Sequence, residues 1–300
     1  MRFYTYKAFG LVIKSEILIP ELSNYNSDQN DVTIKIGEVP VHLSSRTGEG
    51  ILFEASRNDF LLKFNGVGSY LIQRGDSITI DPSKDASRKD ICLFLLGSVM
   101  GALLHQRGLL PIHGSCINTD NGALVISGVS SVGKSSLAAG LAMKGYSVLS
   151  DDISVVAKNS ENRNVVYSGI PHIKLWKDIL DYYENSEDLE RVRPNLEKYH
   201  LSTKSTFQHE ASELKTIIFL TASNDPEIKM DLVKGSEKFN LLYNNIYRVN
   251  FLVGMGRAEN LFKTVTELIN TIDVYFVVRP SKPIFLNELV SFVEDKIINC

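Results

Sequence analysis

Eight consecutive residues constrain this chain more than any others: Gly128-Val129-Ser130-Ser131-Val132-Gly133-Lys134-Ser135 fits G-x-x-x-x-G-K-[ST] at every position. At ordinary residue frequencies the pattern arises by chance about 0.01 times in a chain of this length. It follows an apolar run, Ala123-Leu-Val-Ile-Ser127, and opens a helical one, Ser135-Ser136-Leu-Ala-Ala-Gly-Leu-Ala142. Glycines let successive N–H groups turn inward, and the following helix aims its positive end at the same point, which makes an anion cradle. In such a cradle Lys134 reaches the β- and γ-phosphates of a nucleotide and the Ser135 hydroxyl ligates Mg²⁺. The bland alternative is an ordinary Gly/Ser turn between a strand and a helix. The loop itself says nothing about what the phosphate is used for.

Composition decides how an anion can be held. With 32 Lys plus Arg against 35 Asp plus Glu, the net charge is −3, so no global field draws the chain to nucleic acid or to an acidic membrane. A bound anion needs a local site. Three hundred residues at 44% hydrophobic and 22% charged predict a soluble globular protein of one large or two modest domains. The longest uncharged apolar run, Ile91 to Leu104, has 14 residues, short of the roughly 18 that span a bilayer, and reads as a buried helix. Met1-Arg-Phe-Tyr-Thr-Tyr-Lys7 has no apolar core followed by a small-residue cleavage site, so no secretory leader is expected. Cys92, Cys116 and Cys300 are too scattered for a disulfide framework or a CxxC metal site, which predicts reduced thiols and a cytoplasmic protein.

The first part of the chain alternates like strands: Tyr4 to Ile19, Val32 to Ile36, Ile51 to Ala55, Asp59 to Phe64, Ser69 to Gln73 and Ser77 to Asp81. From about Asp85 the period changes, and Ala86 to Arg107 reads as a long apolar helix ending at Gly108. Strands at Ala123 to Ser127, Ser147 to Leu149 and Ile153 to Ala157, with a helix at Lys134 to Met143, then describe an α/β core of nucleotide-site topology. Further on, Ile173 to about Glu190 reads as helical and Arg191 to Ser212 as a polar mobile loop. Strands are expected at Leu214 to Thr221, Tyr247 to Val253 and Val274 to Val278, and helices at Lys238 to Asn244, Glu259 to Thr271 and Asn287 to Ile298.

A phosphate loop needs a carboxylate for its metal, and a kinase needs a group to take the acceptor's proton. Asp151-Asp152 follows the strand Ser147-Val-Leu149, where such residues belong. Adjacent carboxylates there cannot both point the same way, so one serves the Mg²⁺ shell and the other acts as base. Their like charges predict one raised pKa. A turn of solvated aspartates is the alternative. His113, in Pro111-Ile-His-Gly-Ser115, has Gly114 beside it to let the backbone approach something closely, although such a histidine also fits a structural role. Arg257, in Gly254-Met-Gly-Arg-Ala258, lies between an expected strand and helix, a place suited to clamping a phosphate.

His113-Gly-Ser, the phosphate loop, Ser150-Asp-Asp152 and Gly256-Arg257 occur in the order and approximate spacing of the C-terminal catalytic domain of HPr kinase/phosphorylase, which residues 90 to 275 resemble. That domain is a serine kinase related to phosphoenolpyruvate carboxykinase. The resemblance implies an α/β phosphate-loop kinase core over residues 87–300; the alternating strands before it read as a mostly β module over residues 1–86, unlike the α/β module of those enzymes. It implies ATP and Mg²⁺ at Gly128 to Ser136, with Lys134 on phosphate and Ser135 and Asp151 on the metal. Asp152 is then the base towards the acceptor serine, with His113 beside it and Arg257 on the transferring phosphoryl group.

In the bifunctional enzymes a Leu-Glu-Ile-Arg-Gly segment after the Asp pair supplies a metal-binding glutamate. The matching stretch here, Val165 to Trp176, has no acid at that point, which puts the phosphorylase reaction in doubt. The whole chain resembles the HPr-kinase-related proteins encoded with lasso-peptide maturation genes. That likeness is carried by Tyr6 to Leu11, Ser15 to Leu22, Arg107-Gly-Leu-Leu-Pro-Ile-His113 and Pro171-His-Ile-Lys-Leu-Trp176. Members of that group phosphorylate the C-terminal serine of a precursor peptide. The partner implied is therefore a precursor peptide or small protein with an acceptor serine, and the family enzymes imply a homo-oligomer. The competing expectations are an HPr serine kinase and a nucleotide-sensing regulator without phosphotransfer.

Overall fold

The computed structural model describes residues 3–182, 189–193, 196–281 and 286–300. It is a mixed α/β structure of two compact units: residues 1–111 with 246–264, and residues 112–245 with 265–300. Among the described residues no helix is long and apolar enough to cross a membrane.

In the first unit the strands are β1 (Tyr4–Ala8), β2 (Leu11–Ser15), β3 (Val32–Ile36), β4 (Gly48–Gly50), β5 (Phe53–Ala55), β6 (Asp59–Phe64), β7 (Gly68–Gln73) and β8 (Ser77–Pro82). They form one sheet in the order β1-β2-β3-β8-β7-β6-β5-β4. The expected strand over Tyr4 to Ile19 is a hairpin, because Phe9 and Gly10 both take left-handed φ (57° and 75°) and reverse the chain. The expected long helix is α1 (Arg88–Phe94), a π turn (Leu95–Val99) and α2 (Met100–Gln106) in succession.

The expected boundary at 86/87 falls inside this unit, because these helices are bound to its sheet. Phe94 stacks on Phe64 at 4.0 Å, and Tyr70 Oη donates to Ile91 O. Gln106 accepts from Gly75 N at 2.9 Å and donates to Ile72 O at 3.2 Å. Residues 246–264 return to the unit for a similar reason. Phe251 inserts its ring 5.0 Å from Phe53 and 4.9 Å from Phe60. The strand expected at Tyr247 to Val253 is instead a 3₁₀ turn (Val249–Leu252) entered through Arg248 at φ 52°.

In the second unit the strands and helices run β9 (Leu110–Thr119), β10 (Gly122–Gly128), α3 (Lys134–Met143), β11 (Ser147–Ser150), β12 (Ile153–Lys158), β13 (Asn164–Tyr167), β14 (His172–Trp176), α4 (Lys177–Tyr182), β15 (Arg191–Arg193), β16 (Leu196–Ser202), β17 (Ser212–Ser223), β18 (Lys229–Leu232), α5 (Ser236–Asn244), the last turn of α6 (Ala258–Ile269), whose earlier residues belong to the first unit, β19 (Asp273–Pro280) and α7 (Leu286–Val293). The large sheet follows β10-β9-β12-β13-β17-β19-β18, with β11 on β9. β10 also pairs with β17, so five of these strands close on themselves. β10, β17 and β19 are parallel, with Gly128 opposite Leu220 and Leu220 opposite Val277. Their carboxyl ends therefore share one edge, at which Gly128 ends β10.

The helix expected over Ile173 to Glu190 is corrected to strand β14 followed by the short α4, and the loop expected over Arg191 to Ser212 contains β15 and β16. Residues 183–188 and 194–195 of those expectations lie outside the described residues. β14, β16 and β15 form a separate three-stranded sheet. One of its faces buries Ile173 and Leu175, which join Leu137 and Leu141 of α3 and Leu289 and Val293 of α7 in a single core. Each such side chain contributes roughly 1.5–3 kcal/mol by burial, so the small sheet is held in place by the helix that follows the glycine loop.

Candidate functional site

The loop is shaped by backbone angles that only some residues tolerate. Gly128 ends β10 at φ 135°, and a Cβ there would lie 2.3 Å from Leu220 O on the parallel neighbour. Ser131 (φ 64°) and Gly133 (φ 103°) complete the curl, and Gly133 is the residue before the first turn of α3. Lys134 leaves that first turn buried, and its Nζ donates to the carbonyls of Gly128 and Val129, both at 2.9 Å. Burial pushes its pKa down and Lys198 adds to this, while Asp152 and Asp151 oppose it.

The two aspartates occupy the reversal between β11 and β12, with Asp152 at φ 72°. Their carboxylates diverge. Asp151 Oδ1 accepts from Ser135 Oγ at 2.8 Å and from Ser115 Oγ at 2.6 Å, and its Oδ2 accepts from Lys174 N at 2.8 Å. Asp152 Oδ2 accepts from Lys174 Nζ at 3.0 Å, and its Oδ1 lies 3.5 Å from His113 Nδ1. Lys174 thus bonds both carboxylates, one through its backbone and one through its side chain. The raised pKa expected from the like charges is corrected. Burial pushes the Asp152 carboxyl up, but Lys174, His113 and Lys198 outweigh it and hold the group at about 2. The cations were invisible to a rule that considered only the neighbouring aspartate.

His113 sits on β9, and its Nδ1 also lies 3.1 Å from Asp152 O. Both oxygens are acceptors, so Nδ1 carries the proton. Burial and Lys134 push the imidazole below its usual range against the pull of Asp152. Gly114 makes the close approach that its sequence context suggested: a Cβ there would stand 2.5 Å from Ile126 O on β10.

Around these groups lies a cavity whose lining, among the described residues, belongs to the second unit. His113, Lys134, Ser135, Asp151 and Asp152 meet in it, together with Ser130, Ser131, Gly133 and Ser136 of the loop and its helix. Val129, in contrast, is an exposed side chain of the loop. Lining residues that the sequence does not mark as site residues include Lys174, Trp176, Lys198 and Arg279. Arg279 stands at the carboxyl end of β19 and donates from Nε to Val132 O at 2.9 Å, tying the loop to the parallel sheet. Arg257 belongs to the first unit, where its Nη2 donates to Gln106 O at 3.1 Å and its Nε is buried without a partner among the described residues.

The donors present suit a nucleotide with a hard cation. Ser135 and Asp151 offer adjacent oxygen ligands, the usual protein share of a Mg²⁺ shell that phosphates and water complete. Among the described residues no group of three or more His, Cys, Asp or Glu could hold a metal unaided. Lys134 and the amino end of α3 offer positive charge that a phosphate group would meet there.

The fold and cavity define a mixed α/β protein with a strand–glycine loop–helix unit beside a carboxylate pair. No family model matches the chain, and no curated protein matches it. Among solved structures, the Hpr(Ser) kinase/phosphatase from Coxiella burnetii is similar with a TM-score of 0.32 and 12% identity, over 62% of this chain and 88% of that one. A likeness at that level carries no argument about function.

Proposed function

We propose that this protein is an ATP- and Mg²⁺-dependent phosphotransferase acting on a serine hydroxyl. The observation that carries the reading is the convergence of Lys134, Ser135, Asp151 and Asp152 on one cavity, with the two carboxylates turned to different partners. Bound ATP would supply the phosphoryl group, and Mg²⁺ would neutralise charge on its phosphates. The chain's own residues do the rest. Lys134 and the loop amides bind phosphate, Ser135 and Asp151 hold the metal, and Lys174 fixes Asp152. Asp152, ionised at every physiological pH, orients the acceptor hydroxyl and accepts its proton; positioning and electrostatics supply most of the catalysis in such transfers.

For the acceptor, the resemblance in Tyr6 to Leu11, Ser15 to Leu22 and Pro171 to Trp176 favours the C-terminal serine of a ribosomally made precursor peptide. The test is incubation with γ-labelled ATP, Mg²⁺ and either a serine-ended precursor peptide or HPr. Label on the peptide supports this reading, and label on HPr alone replaces it with an HPr kinase. Nucleotide binding without transfer to any acceptor leaves a sensor.

A further inference from the structure

The small sheet has two unlike faces. β14 and β16 are antiparallel, with His172 opposite Ser202, Lys174 opposite His200 and Trp176 opposite Lys198. Alternation puts these six residues on one face, opposite the face that buries Ile173 and Leu175. Lys174, Trp176 and Lys198 all line the cavity. The polar face is therefore a basic platform carried on a rigid, core-anchored element.

The cations of the cavity have different commitments. Lys134 holds loop carbonyls, Arg279 holds Val132 O, and Lys174 holds Asp152. Lys198 forms no ion pair among the described residues, and its Nζ stands 5.9 Å from the centre of the Trp176 ring. It nevertheless lines the same cavity as Asp152 and Lys174. Trp176, 38% exposed, offers a flat apolar face beside this ammonium. Along β14 one strand repeat, about 7 Å, separates Lys174, which holds Asp152, from Trp176 and its cross-strand neighbour Lys198.

We propose that Trp176 and Lys198 form an acceptor subsite for an anionic oxygen group, carboxylate or phosphate, carried beside the acceptor hydroxyl. This rests on the phosphotransferase reading, with Asp152 as the group that receives the hydroxyl. The subsite confers specificity: it places the acceptor by its charge and takes no part in bond making.

Trp176 is the only tryptophan in the chain, so its fluorescence reports occupancy without turnover. The full chain, with saturating ADP and Mg²⁺, is titrated with three forms of one short serine-ended peptide: free carboxylate, C-terminal amide, and amide with phosphoserine. A saturable change with at least one charged form, at least tenfold tighter than with the plain amide, is expected. Lys198→Gln should lose at least tenfold of that affinity and Lys198→Arg should restore most of it. Which charged form binds identifies the anion as carboxylate or phosphate. Equal binding of all three forms, binding of none, or an equal loss of ADP affinity in Lys198→Gln overturns the subsite. Charged peptides that bind in this way yet take no label from ATP would remove the kinase reading and leave the subsite standing.

Discussion

Asp152 is the residue on which the chemistry turns, and its surroundings make two measurable statements. Asp152→Asn removes the proton acceptor but leaves Lys134, Ser135 and Asp151 in place. Transfer should fall by about 10²–10⁴-fold while nucleotide affinity, read by calorimetry, stays close to that of the wild type. Normal transfer by this variant would show that the base lies elsewhere. The pH dependence of stability has a definite sign. The folded carboxyl sits at about 2 against an ordinary 3.8, so its stabilising effect is complete above about pH 4 and is lost as pH falls through 2. Thermal melts of wild type and Asp152→Asn should therefore differ near pH 6 and converge towards pH 2. Lys174 shows what a residue-level reading misses: its segment stands out in sequence for lacking an acid, whereas Lys174 itself bonds both aspartates, Asp151 through its backbone N–H and Asp152 through its ammonium.

At the scale of elements, the site depends on where β10 ends and on how β14 is anchored. Gly128→Ala forces a Cβ against Leu220 O in a backbone region that disfavours side chains, a cost of about 1–3 kcal/mol or more. A lowered melting temperature with loss of ATP binding is expected, and an unchanged melt would contradict the backbone geometry. Leu175→Ala removes a core contact of the small sheet and should destabilise the second unit by about 2–5 kcal/mol in denaturant titrations. The alternation His172-Ile-Lys-Leu-Trp176 was a strand signal in the sequence, but the charged residues that follow it masked the period. β16 is harder still, since β14, the strand that ties it to the cavity, lies more than twenty residues away.

For the whole molecule, the division into units runs against chain order. Phe251 is nearly two hundred residues from Phe53 in sequence yet completes the first unit's aromatic cluster. Phe251→Ala should cost about 3–5 kcal/mol, with hydrogen-exchange protection lost in β5 and β6. Protection lost only in the second unit would contradict the assignment. A fragment beginning at residue 87 would carry α1 and α2 without the sheet whose Phe64 and Tyr70 contact Phe94 and Ile91, and it is expected to aggregate on size exclusion.

Local signals in the sequence were enough to determine the strand–loop–helix of Gly122 to Met143, the reversal at Asp151-Asp152 and most of the first sheet. Each depends on residue periodicity or on a backbone angle set within a few positions. Only the tertiary structure decided that Lys174, Trp176, Lys198 and Arg279 face the same cavity, that Asp152 is held at about 2, and that Arg257 belongs to the other unit. Those facts depend on strand pairing and burial between distant segments, where the free energy comes from contacts that no window of neighbouring residues contains.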